Sequence, residues 1–117
     1  MKDSNLASEI KLNGRVIPLK SIKLREAFAS MSKVSGEIDQ LKGASSNDDK
    51  TKLVQLQLSL VNMLDEMVQL ITKEKKEEAM RSEVSGQLYN TLLAHVQNMK
   101  LTNSKERNLL QAKLLSD

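Results

Sequence analysis

The segment from Leu53 to Lys73 repeats a seven-residue pattern three times, and this repeat constrains the fold more than any other feature. Side chains seven residues apart lie almost above one another on an α-helix, so the segment predicts a helix with continuous apolar columns. The columns are Leu53, Leu60 and Met67; Val54, Val61 and Val68; and Leu56, Met63 and Leu70. A two-stranded coiled coil needs only two apolar positions in seven. Three or more are typical of a helix inside a bundle, with neighbours on two sides.

Length and composition set the class of the protein. A chain of 117 residues suits a single domain. Phe28 and Tyr89 are the only aromatic residues, so aliphatic side chains and methionine must build the core. The absence of cysteine excludes disulfides, zinc-thiolate sites and a cysteine nucleophile. We therefore predict a mainly α fold, a helical bundle or helical hairpin with a long heptad-patterned central helix and a small N-terminal β-hairpin.

Residues 1–20 are expected to form a flexible N-terminus and this hairpin. Apolar residues alternate on either side of Asn13-Gly14, a pair that tolerates the positive φ angles of a type I′ turn. Pro18 lacks an amide donor and therefore confines its strand to an edge or ends it. Because an isolated hairpin is marginally stable, it must pack on the helices of this chain or extend a sheet of another chain.

Residues 21–117 are expected to form a helical domain, with helices at about 21–42, 49–82, 84–101 and 104–115. Ser21 is a suitable N-cap for the first helix, and Gly43 is a suitable terminating residue. The short polar linker after Gly43 predicts that the first two helices are antiparallel neighbours. Asn103 and Glu106 have the spacing of a capping box, which predicts the start of the last helix.

The course of the chain around Gly86 leaves two layouts open. In one layout a single helix is continuous from Asp49 to Met99, and in the other the helix breaks near Gly86 and folds back. The Ser82-to-Gly86 segment favours the break. The charged run at 73–83 predicts a solvated stretch of helix held by Glu/Lys pairs. The N-cap of the second helix is expected at Asn47, Asp48 or Asp49.

Motifs for catalysis or ligand binding are missing from the sequence. His95, the only histidine, shares an apolar row with Leu88, Leu92 and Met99, which predicts a packed histidine rather than a general base. No Glu-x-x-His pair indicates a di-metal site, and no glycine-rich loop indicates a phosphate site. We predict a protein that is not an enzyme, with no catalytic, cofactor-binding or metal-binding residues.

Charge and hydropathy limit the partners. Residues 1–33 carry seven basic and three acidic residues, which suits an acidic partner, phosphates or simple solvation. A small basic nucleic-acid-binding or regulatory protein is the alternative function, but the aromatic residues that stack on single strands are few. No segment reaches the roughly 20 apolar residues of a membrane span, and none is typical of a signal peptide. We expect a cytoplasmic protein without membrane contact.

A protein–protein interaction function remains. We predict a small assembly factor or chaperone that binds a protein partner through apolar helical faces and forms a homo-oligomer. Packing in the chain's own core is the default interpretation for each of its candidate partner or self-association residues. They are Leu53, Leu56, Leu60, Met63, Leu64, Met67, Leu70, Ile71, Leu109, Leu110, Leu114 and Leu115.

The segment IKLNGRVIPLKSIKLREAF combines an Asn-Gly hairpin with a basic, leucine-containing first helix. From about Ile10 to Met31 the chain resembles the start of the small tail assembly chaperones of long-tailed bacteriophages. That resemblance implies a chaperone in the host cytoplasm that coats an aggregation-prone tail protein, such as the tape measure, before assembly. The helical export chaperones of secretion and flagellar systems are a similar class without the hairpin.

Overall fold

Residues 6–116 of the chain are described by a computed structural model. Within them the fold is mainly α, as the sequence predicts, with three helices and one two-stranded hairpin. The elements are β1 (Glu9–Leu12), β2 (Arg15–Pro18), α1 (Ile22–Leu41), α2 (Asn47–Arg81) and α3 (Glu83–Ser116). The flexibility expected for residues 1–5 lies outside the described residues.

Helix α2 is the central element, because α1 and α3 both pack on it. Each neighbour is joined to α2 by a short connection, so each runs antiparallel to it. The inward positions of α2 alternate at steps of three and four residues, as in a coiled-coil seam. They are Leu53, Gln57, Leu60, Leu64, Met67, Ile71, Glu74 and Glu78. The predicted contacts on two sides of the heptad helix are therefore present.

The hairpin packs on the helices of its own chain, one of the two arrangements that the sequence left open. Asn13 and Gly14 form the turn with φ angles of 52° and 76°. Ile17 and Leu19 are fully buried, and β2 lies against α3. The hairpin therefore obtains from the helices the burial that two strands cannot supply alone.

The ends of α1 follow the sequence signals. The Ser21 side chain accepts a hydrogen bond from the Leu24 amide, and Gly43 follows the helix with a φ of 85°. Gly36 lies inside α1 without ending it. The expected cap of α2 was wrong by one residue or more, because Ser46 occupies that position and accepts from the Asp49 amide.

The predicted break between the second and third helices is confirmed, and Ser82 forms it. Its extended backbone ends α2, and its hydroxyl accepts a hydrogen bond from the Ser85 amide in the first turn of α3. Gly86 is a contact residue rather than the breaker. A Cβ atom on Gly86 would lie 2.8 Å from the Ala79 Cβ, so glycine allows α2 and α3 to approach closely here.

The two helices expected at about 84–101 and 104–115 are one continuous helix, α3. The capping-box interpretation was therefore wrong. The Asn103 side chain donates to the Met99 carbonyl inside the helix, and the Glu106 carboxylate lies near the Gln57 amide of α2. Packing along the full length of α2 outweighs a local cap signal.

Candidate functional site

A buried carboxylate joins the hairpin to the two long helices. Glu74 of α2 is only 4 % exposed. Its Oε2 accepts the Lys20 amide at 3.1 Å, and its Oε1 accepts the Ser21 amide at 2.8 Å. The Tyr89 hydroxyl of α3 lies 2.7 Å from the same Oε2 and 2.7 Å from the Pro18 carbonyl oxygen. The side chains of α2 and α3 thus bind the main chain where the hairpin enters α1.

The Tyr89 hydroxyl carries one proton for two acceptors, so it donates to one of these oxygens at a time. Burial of the ring raises the pKa of Tyr89 well above its ordinary value, and the hydrogen bond and negative charge of Glu74 add to the effect. The phenol therefore stays protonated at neutral pH and acts as a donor. Because Tyr89 is fully buried, this arrangement has a structural role. We call the contacts of Glu74 and Tyr89 with the main chain at residues 18–21 the hairpin joint.

Glu78, one turn after Glu74, forms the second part of this joint. Its carboxylate is bound by the Lys20 Nζ at 2.7 Å and approached by Arg81 at 3.8 Å. The prediction that the charged run is solvated was therefore wrong for Glu74 and Glu78, which continue the inward seam of α2. Their partners Lys20 and Ser21 lie more than fifty residues away in the sequence, and a local charge pattern does not reveal them.

The predicted partner residues of α2 lie mainly in the chain's own core. Five are buried, and Leu56 and Leu70 are half-buried and packed against that core. Met63 is also half-buried. The buried five are Leu53, Leu60, Leu64, Met67 and Ile71. These five are inaccessible to a partner while the bundle is closed.

The predicted residues near the C-terminus lie at the surface. Leu109 is 68 % exposed and Leu115 is 82 % exposed, whereas Leu110 and Leu114 are half-buried. No residue from 97 to 116 is fully buried. We call residues 101–116 the α3 end. It presents leucines to solvent, including Leu101, which the sequence reasoning did not single out.

A second exposed apolar pair, also missed from the sequence, lies at the junction of α2 and α3. Met80 is 88 % exposed and Val84 is 72 % exposed. This pair is at the opposite end of the helical hairpin from the α3 end, because α2 and α3 are antiparallel. The two apolar surfaces can therefore be varied independently.

His95 is exposed, so the expected packed histidine was wrong. The inward row of α3 contains Tyr89, Leu92 and Val96, and His95 lies to one side of it. It lines an open groove between the hairpin turn and α3 together with Leu12, Asn13, Asn90, Thr91, Ala94 and Asn98. Within residues 6–116 no cluster of three or more His, Cys, Asp or Glu side chains is placed to hold a metal ion.

The chain was compared with protein-family models, with curated proteins and with solved structures, and none of the three comparisons gives a match. In the part of the chain that the structure describes, no helix is both long enough and apolar enough to cross a membrane.

Proposed function

We propose that this protein is a non-enzymatic binding protein, a small assembly factor or chaperone that holds apolar segments of another protein at the α3 end and self-associates. The observation that carries the proposal is the contrast along α3. Its first half supplies buried side chains to the core, whereas Leu101, Leu109 and Leu115 in its second half are exposed. Exposed apolar residues grouped on one element favour contact with another apolar surface.

Basic side chains near the N-terminus bind groups of the chain itself, which favours a protein partner over a nucleic acid. Lys20 is bound to Glu78, and the Arg25 guanidinium donates to the Leu19 carbonyl. Two of the basic residues near the N-terminus therefore stabilise the hairpin joint. Phosphate binding depends on clustered cationic groups that are free to replace counterions.

The resemblance of residues 10–31 to tail assembly chaperones supports the same class of function. The resemblance implies that the partner is an aggregation-prone tail protein and that the protein acts in the host cytoplasm. The hairpin and first helix that carry the resemblance form the joint around Glu74, whereas the α3 end lies outside the resembling segment. We therefore assign client binding to the α3 end, and stability of the fold to the contacts that the resembling segment makes around Glu74.

An aggregation assay tests the proposal. The double variant Leu109→Gln/Leu115→Gln changes two exposed side chains and is expected to fold normally, as circular dichroism would show. Light scattering of chemically reduced insulin, a client that aggregates on its own, measures protection. We expect the native protein to suppress scattering and the double variant to lose most of that effect, because the apolar contact area is removed.

The matched control is Met80→Gln/Val84→Gln, which removes a similarly exposed apolar pair at the other end of the helical hairpin. It should protect the client as well as the native protein does. Equal loss in both double variants would contradict the assignment to the α3 end. Absence of protection by the native protein, together with capture of nuclease-sensitive material from a native lysate, would favour the nucleic-acid alternative.

A further inference from the structure

The uncovered outer edge of the hairpin indicates how the chain self-associates. In a hairpin with a two-residue turn, the residues next to the turn exchange main-chain hydrogen bonds, and alternate residues along each strand point their groups outward. Here Leu12 pairs with Arg15 and Ile10 with Ile17, and the Leu19 amide donates to the Ser8 carbonyl. The outward main-chain groups of β1 therefore belong to Glu9 and Lys11.

The two outer edges of the hairpin differ in their surroundings. On the β2 side, the Pro18 carbonyl accepts from Tyr89 and the Lys20 amide donates to Glu74, so the helices cover much of that edge. On the β1 side, Glu9 and Lys11 are exposed. Within residues 6–116, no hydrogen bond reaches their outward groups. An uncovered edge strand is a template for another strand.

We propose that this edge pairs with the same edge of a second copy, giving a four-stranded antiparallel sheet across a two-fold axis. The inference depends on the self-association in the proposed function and names its surface. The charges of Glu9 and Lys11 identify a second copy as the partner of this edge. Two-fold registers that align the outward groups place Glu9 opposite Glu9, Lys11 opposite Lys11, or Glu9 opposite Lys11, and only the last avoids like charges.

In this register each copy's Glu9 forms a hydrogen-bonded pair with the other copy's Lys11. Each such pair exchanges two main-chain hydrogen bonds and places opposite charges side by side. Ile10 then lies opposite the Ile10 of the second copy on the inner face. Ile10 is half-buried against the core, so pairing extends the apolar layer of each copy. The sequence Glu-Ile-Lys is therefore self-complementary at this edge.

Charge reversal tests the register. Glu9→Lys alone and Lys11→Glu alone each place like charges opposite one another, so each should raise the dimer Kd about tenfold or more in sedimentation equilibrium. The double variant Glu9→Lys/Lys11→Glu restores opposite charges and should return the Kd to the native value. Both positions are exposed, so circular dichroism should show an unchanged fold.

A crosslink tests the geometry independently. The chain has no cysteine, so Ile10→Cys provides a single thiol. In the proposed register the two thiols are directly opposite, with Cα atoms about 4.5 Å apart, which permits a disulfide. Oxidation should convert this variant to a covalent dimer. The control Val16→Cys, on the exposed outer face of β2, should remain largely single-chain.

Three results would contradict the inference, and they differ in what else they overturn. A single-chain mass at every concentration overturns both this inference and the self-association in the proposed function. A dimer that is insensitive to the charge reversals and does not crosslink through Ile10→Cys overturns the inference alone. If the single reversals change insulin protection while the mass stays that of one chain, the edge binds a client strand and a second copy is not its occupant.

Discussion

Replacing Glu74 by Gln is expected to lower the free energy of unfolding by about 2 kcal/mol, because the carboxylate is an acceptor at both oxygens. Gln keeps the shape but replaces one acceptor with an NH2 donor. With its carbonyl towards the Ser21 amide, its NH2 group faces the Lys20 amide, which loses its partner. The same NH2 group can donate to the Tyr89 oxygen while Tyr89 donates to Pro18, so that contact is retained.

The magnitude follows from the lost interaction. A hydrogen bond to a charged group contributes about 1.5–3 kcal/mol, and an amide left buried without a partner costs a similar amount. Only one of the two amides loses its acceptor, so the estimate stays near 2 kcal/mol. For a domain of this size that corresponds to a melting temperature lower by roughly 8 °C.

Urea denaturation followed by circular dichroism measures the change. The matched control is Glu77→Gln, which removes a charge from an exposed position of the same helix and should change stability by less than about 0.5 kcal/mol. Equal stabilities of the Glu74→Gln variant and the native protein would refute the reasoning, because they would mean that the joint between hairpin and helices does not depend on the carboxylate.

Four further predictions address other contacts. Gly86→Ala should lower the unfolding free energy by about 1 kcal/mol, because the clash with Ala79 exceeds the gain in helix propensity. Gly36→Ala, which meets open space, should raise it by about 0.5–1 kcal/mol in the same denaturation experiment. Because the pKa of Tyr89 is higher in the folded than in the unfolded chain, stability should hold below about pH 10 and fall above it. Tyrosinate absorbance of this single tyrosine should appear only on alkaline unfolding. Gln57→Met should raise the melting temperature, because the buried Gln57 Oε1 has no hydrogen-bond partner in the described part of the chain.

The elements that local sequence determines were predictable. Side chains at heptad spacing must share a helix face, and Asn13-Gly14 suits the positive φ angles of the turn. Ser21 caps α1 through an amide only three residues away. Signals of this kind depend on neighbouring residues, so the sequence displays them directly.

The features that depend on distant partners were not predictable in the same way. Glu74 and Glu78 have the composition of a solvated run, and they are buried only because Lys20, Ser21 and Tyr89 fold onto them. The break expected near Asn103 is absent because α2 supports α3 along its length. Whether a leucine near the C-terminus is core or surface depends likewise on what α1 and α2 cover.

The central claim is that this chain closes its own bundle around the heptad columns of α2, and that its most exposed large apolar residues lie at the α3 end and at the junction of α2 and α3. Oxidation of the methionines by dilute peroxide, followed by mass spectrometry, tests this most directly, because susceptibility follows exposure. Met80 is 88 % exposed, whereas Met67 and Met31 are 0 % and 7 % exposed. We predict that Met67 and Met31 oxidise at least about tenfold more slowly than Met80 at every protein concentration. Oxidation of Met67 as fast as Met80 in dilute, folded protein would contradict the account.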